Sequence, residues 1–239
     1  MRDEIYKDKA NISKFTFDQE VVDVFDDMVL RSVPGYRQMI ELIGLASRLY
    51  PVKYSSIYDL GCSTGAATLS IVSNLKNNDI DIFSIDNSPA MVDKCQKNLS
   101  NHKKHIHFIC EDITKIEFQR TSLVILNLTL QFIKPEKRLE LISKIYDALI
   151  PGGALIISEK VIFEDPRTQK AMTTLHEVFK KENGYSKNEI SKKRKALENV
   201  LIPDSIEQNL DRLKKAKFAN PVVQMQCLNF ASFIAIKEK

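Results

Sequence analysis

Between residues 52 and 160 the sequence alternates short apolar runs with helix-periodic segments, and this alternation leaves very few folds open. Residues 56–60, 80–85, 106–110, 123–128 and 154–158 read as strands. Helical patterns over 66–75, 89–99 and 135–149 lie between them. Strands joined by helices at this spacing make βαβ units, whose right-handed crossovers build a parallel sheet. The expected fold is therefore α/β, a doubly wound, mostly parallel, Rossmann-like sheet.

The flanks add to this plan. Val21, Val22, Val24, Phe25, Met28 and Val29 recur at helical spacing, as do Met39, Leu42, Ile43, Ala46 and Leu49. Two N-terminal helices are expected over about 17–50, with a Pro34-Gly35 turn between them. Residues 165–217 are polar, lysine-rich and helical, and read as a cap inserted into the sheet domain. Two β-rich segments, 222–226 and 228–236, close the chain, as a late strand pair in a mixed sheet would. Residues 1–239 are expected to form one domain around one ligand site.

Composition removes other classes. No apolar run reaches the roughly 18–20 residues needed to span a membrane. The start, Met1-Arg2-Asp3-Glu4, lacks the apolar core of a secretory signal. Cys62, Cys95, Cys110 and Cys227 are far apart and form no C-x-x-C pair, so they read as reduced thiols of a cytoplasmic protein without a metal site. Glycine is scarce, with seven in 239 residues. Gly152 and Gly153 are expected to cap the helix before the fifth strand. Gly44, inside a helical pattern, suggests close helix packing.

The richest local signal is Tyr58-Asp59-Leu60-Gly61-Cys62-Ser63-Thr64-Gly65, between the first strand and the next helix. Open α/β sheets bind ligands outside the carboxyl ends of their strands, so this loop should floor a pocket. It is neither a P-loop nor G-x-G-x-x-G. Asp59 would repel a pyrophosphate but suits a ligand with an ammonium group, which points to an amino-acid-bearing nucleoside. Asp86, 21 residues after Gly65, ends the second strand where a carboxylate takes ribose hydroxyls. Asp112-Ile113 follows the third strand, where the aspartate can take an adenine amino group and the isoleucine can pack on the ring. Asn127 ends the fourth. Any one of these is also a common strand-end turn former.

The cap carries a second clue. Residues 176–217 hold eleven Lys or Arg against seven Asp or Glu, mostly as a solvated face. Arg194 lies four residues after Ile190 and three before Leu197, in a helix expected over 189–201, so it is expected to point inward with the apolar stripe. An inward guanidinium requires an anion, from the protein or from a substrate. Tyr36, after Pro34-Gly35, is placed to reach over the pocket or to pack at the surface. His102, His105 and His107 lack metal-binding partners, and His176 reads as structural. Glu159 ends the fifth strand, as a base or as an ion-pair partner.

The loop and strand-end residues resemble the class I S-adenosyl-L-methionine-dependent methyltransferases, with Ser63 where their middle loop glycine stands. The resemblance narrows with Arg31-Ser32-Val33-Pro34-Gly35-Tyr36, Ile85-Asp86-Asn87-Ser88-Pro89-Ala90-Met91, Leu126-Asn127-Leu128-Thr129-Leu130-Gln131-Phe132, Ser158-Glu159-Lys160, Asn183-Gly184-Tyr185-Ser186, Lys193-Arg194, Leu197-Glu198-Asn199-Val200 and Gln226-Cys227-Leu228-Asn229-Phe230. Over about residues 17–237 the chain is similar to the carboxy-S-adenosyl-L-methionine synthases of bacterial tRNA wobble-uridine modification.

That resemblance implies a reaction of S-adenosyl-L-methionine with prephenate, giving carboxy-S-adenosyl-L-methionine and phenylpyruvate. Prephenate would release CO2 and hydroxide as its ring aromatises, the hydroxide would deprotonate the sulfonium methyl, and the CO2 would be captured there. No strong side-chain base is then required, and no metal. The resemblance also implies a homodimer whose product passes to a tRNA carboxymethyltransferase, with no stable nucleic-acid or membrane binding of its own. Carried onto this chain, the family's ligand residues are Tyr36, Gly61, Cys62, Ser63, Asp86, Asn87, Asp112, Ile113, Asn127 and Arg194, the last anchoring the product carboxylate. Two other readings stay open on the residues: a conventional methyltransferase acting on a small acid or RNA, and an inactive S-adenosyl-L-methionine-binding module. A neutral acceptor would leave an inward Arg194 without a partner, and an RNA acceptor would bind with strong salt dependence.

Overall fold

A computed structural model describes residues 1–7, 12–76 and 79–239, apart from the side chains of residues 103 and 104. Two helices come first, α1 (Gln19–Ser32) and α2 (Tyr36–Leu49). The alternating core follows as β1 (Ser56–Leu60), α3 (Ala66–Asn74), β2 (Ile82–Asp86), α4 (Pro89–Asn98), β3 (Ile106–Cys110), β4 (Thr121–Asn127), α5 (Pro135–Ala148) and β5 (Leu149–Ile162). The strands run in the order β3-β2-β1-β4-β5, all parallel, as the βαβ spacing requires. The chain ends with β7 (Val222–Cys227) and β8 (Phe230–Ile236), and β8 lies antiparallel between β5 and β7. The doubly wound, mostly parallel sheet expected from the sequence is the one observed.

Each face of the sheet is covered because its strands are apolar on both sides. On one face Ile43 and Ala46 of α2 and Ala67 and Ile71 of α3 pack on Ile57, Ile82 and Ile125. A Cβ on Gly44 would sit 2.5 Å from Ser70 Oγ and 2.6 Å from Asn74 Nδ2, so glycine lets α2 approach α3 closely. On the other face Leu141, Ile142 and Ile145 of α5 pack on Val124, Leu155 and Ile157.

Three boundaries differ from the sequence reading. α5 ends at Ala148, its cap Leu149 is extended, and Gly152 and Gly153 lie inside β5 beside Lys237 rather than at a helix cap. Ala154 pairs with Leu123 across a register shift, so the glycines form an irregular stretch within the strand. The segment 165–217 also divides in two. α6 (Pro166–Glu182) and α7 (Lys187–Leu197) form the cap over the strand ends. α8 (Ile206–Lys215), after the short β6 (Asp204–Ser205), instead buries Leu213 with α5, so it belongs to the sheet layer. Finally, α7 starts at a Ser186–Glu189 capping box and stops at Leu197, because Asn199 turns the chain into the left-handed region at φ 59°.

Candidate active site

The carboxyl ends of β1 to β5 converge beneath α1, α6 and α7 on one cleft of about 250 Å³. The loop after β1 makes its floor. Gly61 and Gly65 have φ of 79° and 93°, and Ser63 between them has 50°, so the turn uses left-handed backbone at alternate positions. Gly65 N–H donates to the Cys62 carbonyl and Leu69 N–H to Gly65, which turns the loop directly into α3. At Gly65 a Cβ would stand 2.8 Å from Cys95 Sγ.

Asp59, at the end of β1, is 1% exposed. Its Oδ2 accepts from Thr68 Oγ at 2.6 Å, and Thr68 in turn bonds Ser84. Its Oδ1 is buried in the cleft wall with no partner. Burial pushes this carboxyl up to about 6, against the stabilising Thr68 bonds and with Asp86 adding to the rise. Asn127 Oδ1 is a second buried acceptor without a partner. Unpaired buried acceptors cost free energy in a native fold. Two of them aimed into one cleft mark positions for donors of a ligand.

Asp86, at the end of the neighbouring strand β2, shapes the wall beside the loop. Its Oδ2 accepts from Ser63 N–H at 3.0 Å and its Oδ1 from Ser88 N–H at 2.9 Å, so the carboxylate ties the β1 loop to the start of α4. Burial raises its pKa although these backbone bonds oppose the rise. Ser88 is the α4 N-cap, so Asp86 is not consumed by that role. Asp112 binds Thr114 N–H and hydroxyl through Oδ1. Burial works against its ionisation, but the Thr114 bonds, Lys115 and Lys137 outweigh it and hold the carboxyl below its usual value. Buried Ile113 and exposed Asn87 complete this side. Tyr36 faces the cleft from α2, and burial pushes its phenol well up.

Of the sequence-derived residues, Tyr36, Gly61, Cys62, Ser63, Asp86, Asn87, Asp112, Ile113 and Asn127 all line the cleft. Arg194 does not. Its side chain is 60% exposed and its guanidinium binds Glu177 of α6. The inward residues of α7 are Glu189, Ile190, Lys193 and Ala196, which centres the stripe on Lys193. One residue further is a rotation of about 100°, so Arg194 falls on the flank. The anion that an inward arginine would have needed is Glu177.

Glu159 stands outside the cleft lining. Oε1 accepts from Thr129 and Leu130 N–H and Oε2 from Gln131 N–H, so the carboxylate caps the turn after β4. Burial pushes it up to about 8 against those bonds and Arg138. His176 is likewise engaged: Nε2 donates to the Ser32 carbonyl at 2.7 Å and Nδ1 accepts from Asn229 at 3.3 Å. Burial and the neighbouring lysines hold the imidazole down at about 3, neutral.

Sequence reasoning missed three charged cleft residues, Lys160 at the end of β5, Lys180 on α6 and Lys193 on α7. Lys193 was within reach of the same helical phase that misplaced Arg194. Its Nζ lies 3.2 Å from Ser32 Oγ and 3.5 Å from Asp3. The Tyr185 hydroxyl also donates to Asp3, whose carboxylate is buried. Among the described residues no cluster of His, Cys, Asp and Glu is arranged to hold a metal.

The comparisons with known proteins agree with this geometry. Residues 57–153 match the family described as "Methyltransferase domain". Among solved structures, the human N-acetylserotonin methyltransferase in complex with SAM superposes at a TM-score of 0.64, with 19% identity, over 92% of this chain and 56% of that one. A putative S-adenosyl-L-methionine-dependent methyltransferase of Methanococcus maripaludis gives 0.63 with 16% identity, over 97% and 98%. These establish the fold. Two curated relatives, both named carboxy-S-adenosyl-L-methionine synthase, come from Ruthia magnifica subsp. Calyptogena magnifica and Shewanella piezotolerans. Each is 47% identical over 99% of this chain, covering 100% and 98% of those proteins. On that identity and coverage the chain belongs to the carboxy-S-adenosyl-L-methionine synthase family.

Proposed function

We propose that the cleft binds S-adenosyl-L-methionine together with prephenate, and that the chain forms carboxy-S-adenosyl-L-methionine and phenylpyruvate from them. The observation that carries this reading is the unpartnered Oδ1 of Asp59, buried where an ammonium group would complete it. In this reading Asp86 takes the ribose hydroxyls, Asp112 and Ile113 the adenine, and Asn127 a further polar group, all four being cleft-lining residues. The bound sulfonium supplies an activated methyl group as the site of carboxylation.

The protein's part is to bind, orient and exclude water. Neither Glu159 nor His176 is placed to serve as the base: Glu159 lies outside the cleft lining, tied to the turn after β4, and His176 is held down at about 3 with both ring nitrogens bonded. Following the family resemblance, the base is assigned to the second substrate, whose aromatisation releases CO2 and hydroxide. The hydroxide leaves as water after taking the methyl proton, and the CO2 becomes the new carboxylate. Holding both reactants in one enclosed site replaces an improbable encounter of three species. In this reading Arg194 reaches the product carboxylate by exchanging it for Glu177. A homodimer, and delivery of the product to a tRNA-modifying enzyme, belong to the same proposal.

Mass spectrometry after incubation with both substrates tests it. The expected product is a nucleoside one carboxyl group heavier than S-adenosyl-L-methionine, formed only when prephenate is present. Release of S-adenosyl-L-homocysteine alone, with no prephenate-dependent product, would overturn it.

A further inference from the structure

The wall of the cleft opposite the β1 loop is cationic. Lys160 rises from the end of β5, Lys180 from α6 and Lys193 from α7, and all three line the cleft. Arg194 stands at their flank. Two carboxylates answer these four charges: Asp3 lies beside Lys193, and Glu177 binds Arg194. The ammonium groups of Lys160 and Lys180 have no hydrogen-bonding or ion-pairing partner among the described residues. The wall thus holds two lysines without an anionic partner of their own. Neutral His176 lies among them, with both nitrogens committed elsewhere. Partly buried cations without anions are costly, and a fold that keeps two of them at one cleft is built to receive negative charge.

The rest of the lining limits what carries that charge. Phe25, Met28, Phe132, Leu201 and Phe230 give the cleft a largely apolar, aromatic surface, with Phe230 against His176 on the lysine side. A nucleoside polyphosphate would find few donors there beyond the lysines. A small ring or alkyl body bearing two carboxylates meets both requirements.

We propose that Lys160, Lys180 and Lys193 form a dicarboxylate subsite that seats the second substrate between the end of β5 and the cap. This rests on the reading of the cleft given above, and it assigns that reading's substrate-binding residues. Because Lys160 belongs to the sheet while Lys180 and Lys193 belong to the cap helices, the dianion bridges the two layers. Binding therefore draws the cap onto the strand ends and helps to exclude water.

The site's electrostatics agree. Burial, with Lys160, Lys193 and Arg194 adding to it and Glu177 opposing, pushes Lys180 down to about 7. Burial pushes Lys193 down to about 8, with Arg31 adding and Asp3 and Asp27 opposing. Lys160 is lowered by burial and by Arg194. The acidic groups across the cleft, Asp59 and Asp86, belong to the nucleoside wall. Near pH 7.5 Lys180 is thus partly deprotonated, and the arrival of a dianion raises its pKa, so that the amine takes up a proton from solvent as the ligand binds.

Phenylsuccinate, an unreactive dicarboxylate, serves as the probe in calorimetric titration of the full-length protein saturated with S-adenosyl-L-homocysteine. We expect it to bind at least about tenfold more tightly than the monocarboxylate 3-phenylpropionate. Lys160→Met and Lys180→Met should each weaken phenylsuccinate about tenfold or more, while S-adenosyl-L-homocysteine affinity stays within about twofold. Lys180→Arg should recover part of the loss, which separates charge from packing. The binding enthalpy should vary with the buffer's ionisation enthalpy, reporting the proton uptake. No binding by the unaltered protein, unchanged affinity in both methionine variants, or equal weakening of both ligands would each overturn the subsite. If no carboxylated nucleoside forms on turnover but phenylsuccinate binding stays lysine-dependent, the synthase reading falls and the subsite stands.

Discussion

Thr68 Oγ holds one carboxylate oxygen of Asp59 at 2.6 Å and leaves the other buried and unpaired. The hydroxyl fixes the direction in which the second oxygen faces the cleft. It does not meet the carboxylate's demand for donors. The consequence is a group poorly stabilised in the free protein and well stabilised only by a cationic ligand.

The pH dependence follows with a definite sign. Asp59 has a folded value of about 6 against an ordinary 3.8. A raised carboxyl is favourable to the fold while protonated, so ligand-free stability falls as pH rises from about 4 to about 6. Binding of an ammonium-bearing nucleoside requires the ionised form and gains over the same interval. S-Adenosyl-L-homocysteine affinity is expected to drop by up to tenfold per pH unit below about pH 6, and Asp59→Asn to remove that dependence. Asp59→Asn should also raise the melting temperature of the empty protein while weakening the nucleoside at least about tenfold. A flat affinity profile between pH 5 and 7 in the unaltered protein would show that another group receives the ammonium.

Gly65→Ala tests the floor. A side chain at φ 93° is strained, and its Cβ would stand 2.8 Å from Cys95 Sγ and 3.0 Å from Leu99 Cδ1. A loss of about 1–3 kcal/mol in denaturant unfolding is expected, together with nucleoside binding weakened beyond what the remaining folded fraction explains. Ser63→Gly, which removes a side chain from left-handed backbone at φ 50°, should leave stability within about 1 kcal/mol. Equal effects of the two substitutions would mean that the loop is not set by its backbone.

The Arg194–Glu177 pair makes a third, paired prediction. It is exposed enough that its own contribution to folding is small, about 0–1 kcal/mol. If Arg194 exchanges Glu177 for a product carboxylate, Glu177→Gln should tighten carboxy-S-adenosyl-L-methionine several-fold and Arg194→Ala should weaken it. Neither should move S-adenosyl-L-homocysteine. Competition binding with the two nucleosides reads this directly, and parallel shifts of both would assign Arg194 to the surface alone.

What the sequence made visible divides along physical lines. The strands and the β1 loop were legible because period and glycine placement are local, and Asp59, Asp86 and Asp112 because each stands at a strand's carboxyl end. Gly152 and Gly153 misled, since glycines after a helix resemble a cap and only the pairing of Ala154 with Leu123 shows a strand already under way. The placement of α8 was hidden because an amphipathic lysine-rich helix fits a cap and a sheet layer equally well. Arg194 failed by one residue of phase, as the stripe looks centred differently once Lys193 is allowed inside. The lysine wall was the least legible feature. Lys160, Lys180 and Lys193 come from three elements, and nothing local marks them as neighbours.

The contacts of Asp3 have a consequence for how this molecule assembles in time. Its carboxylate meets Tyr185 across 182 positions and Lys193 across 190, so a residue at one end of the chain latches the far part of the cap. Contacts this distant close large loops and form late in folding. The sheet and the β1 loop can be complete while α6 and α7 are still undocked. The β1-loop floor can therefore form before the lysine wall does, and the cleft is completed on its cap side only when Asp3 reaches Tyr185 and Lys193.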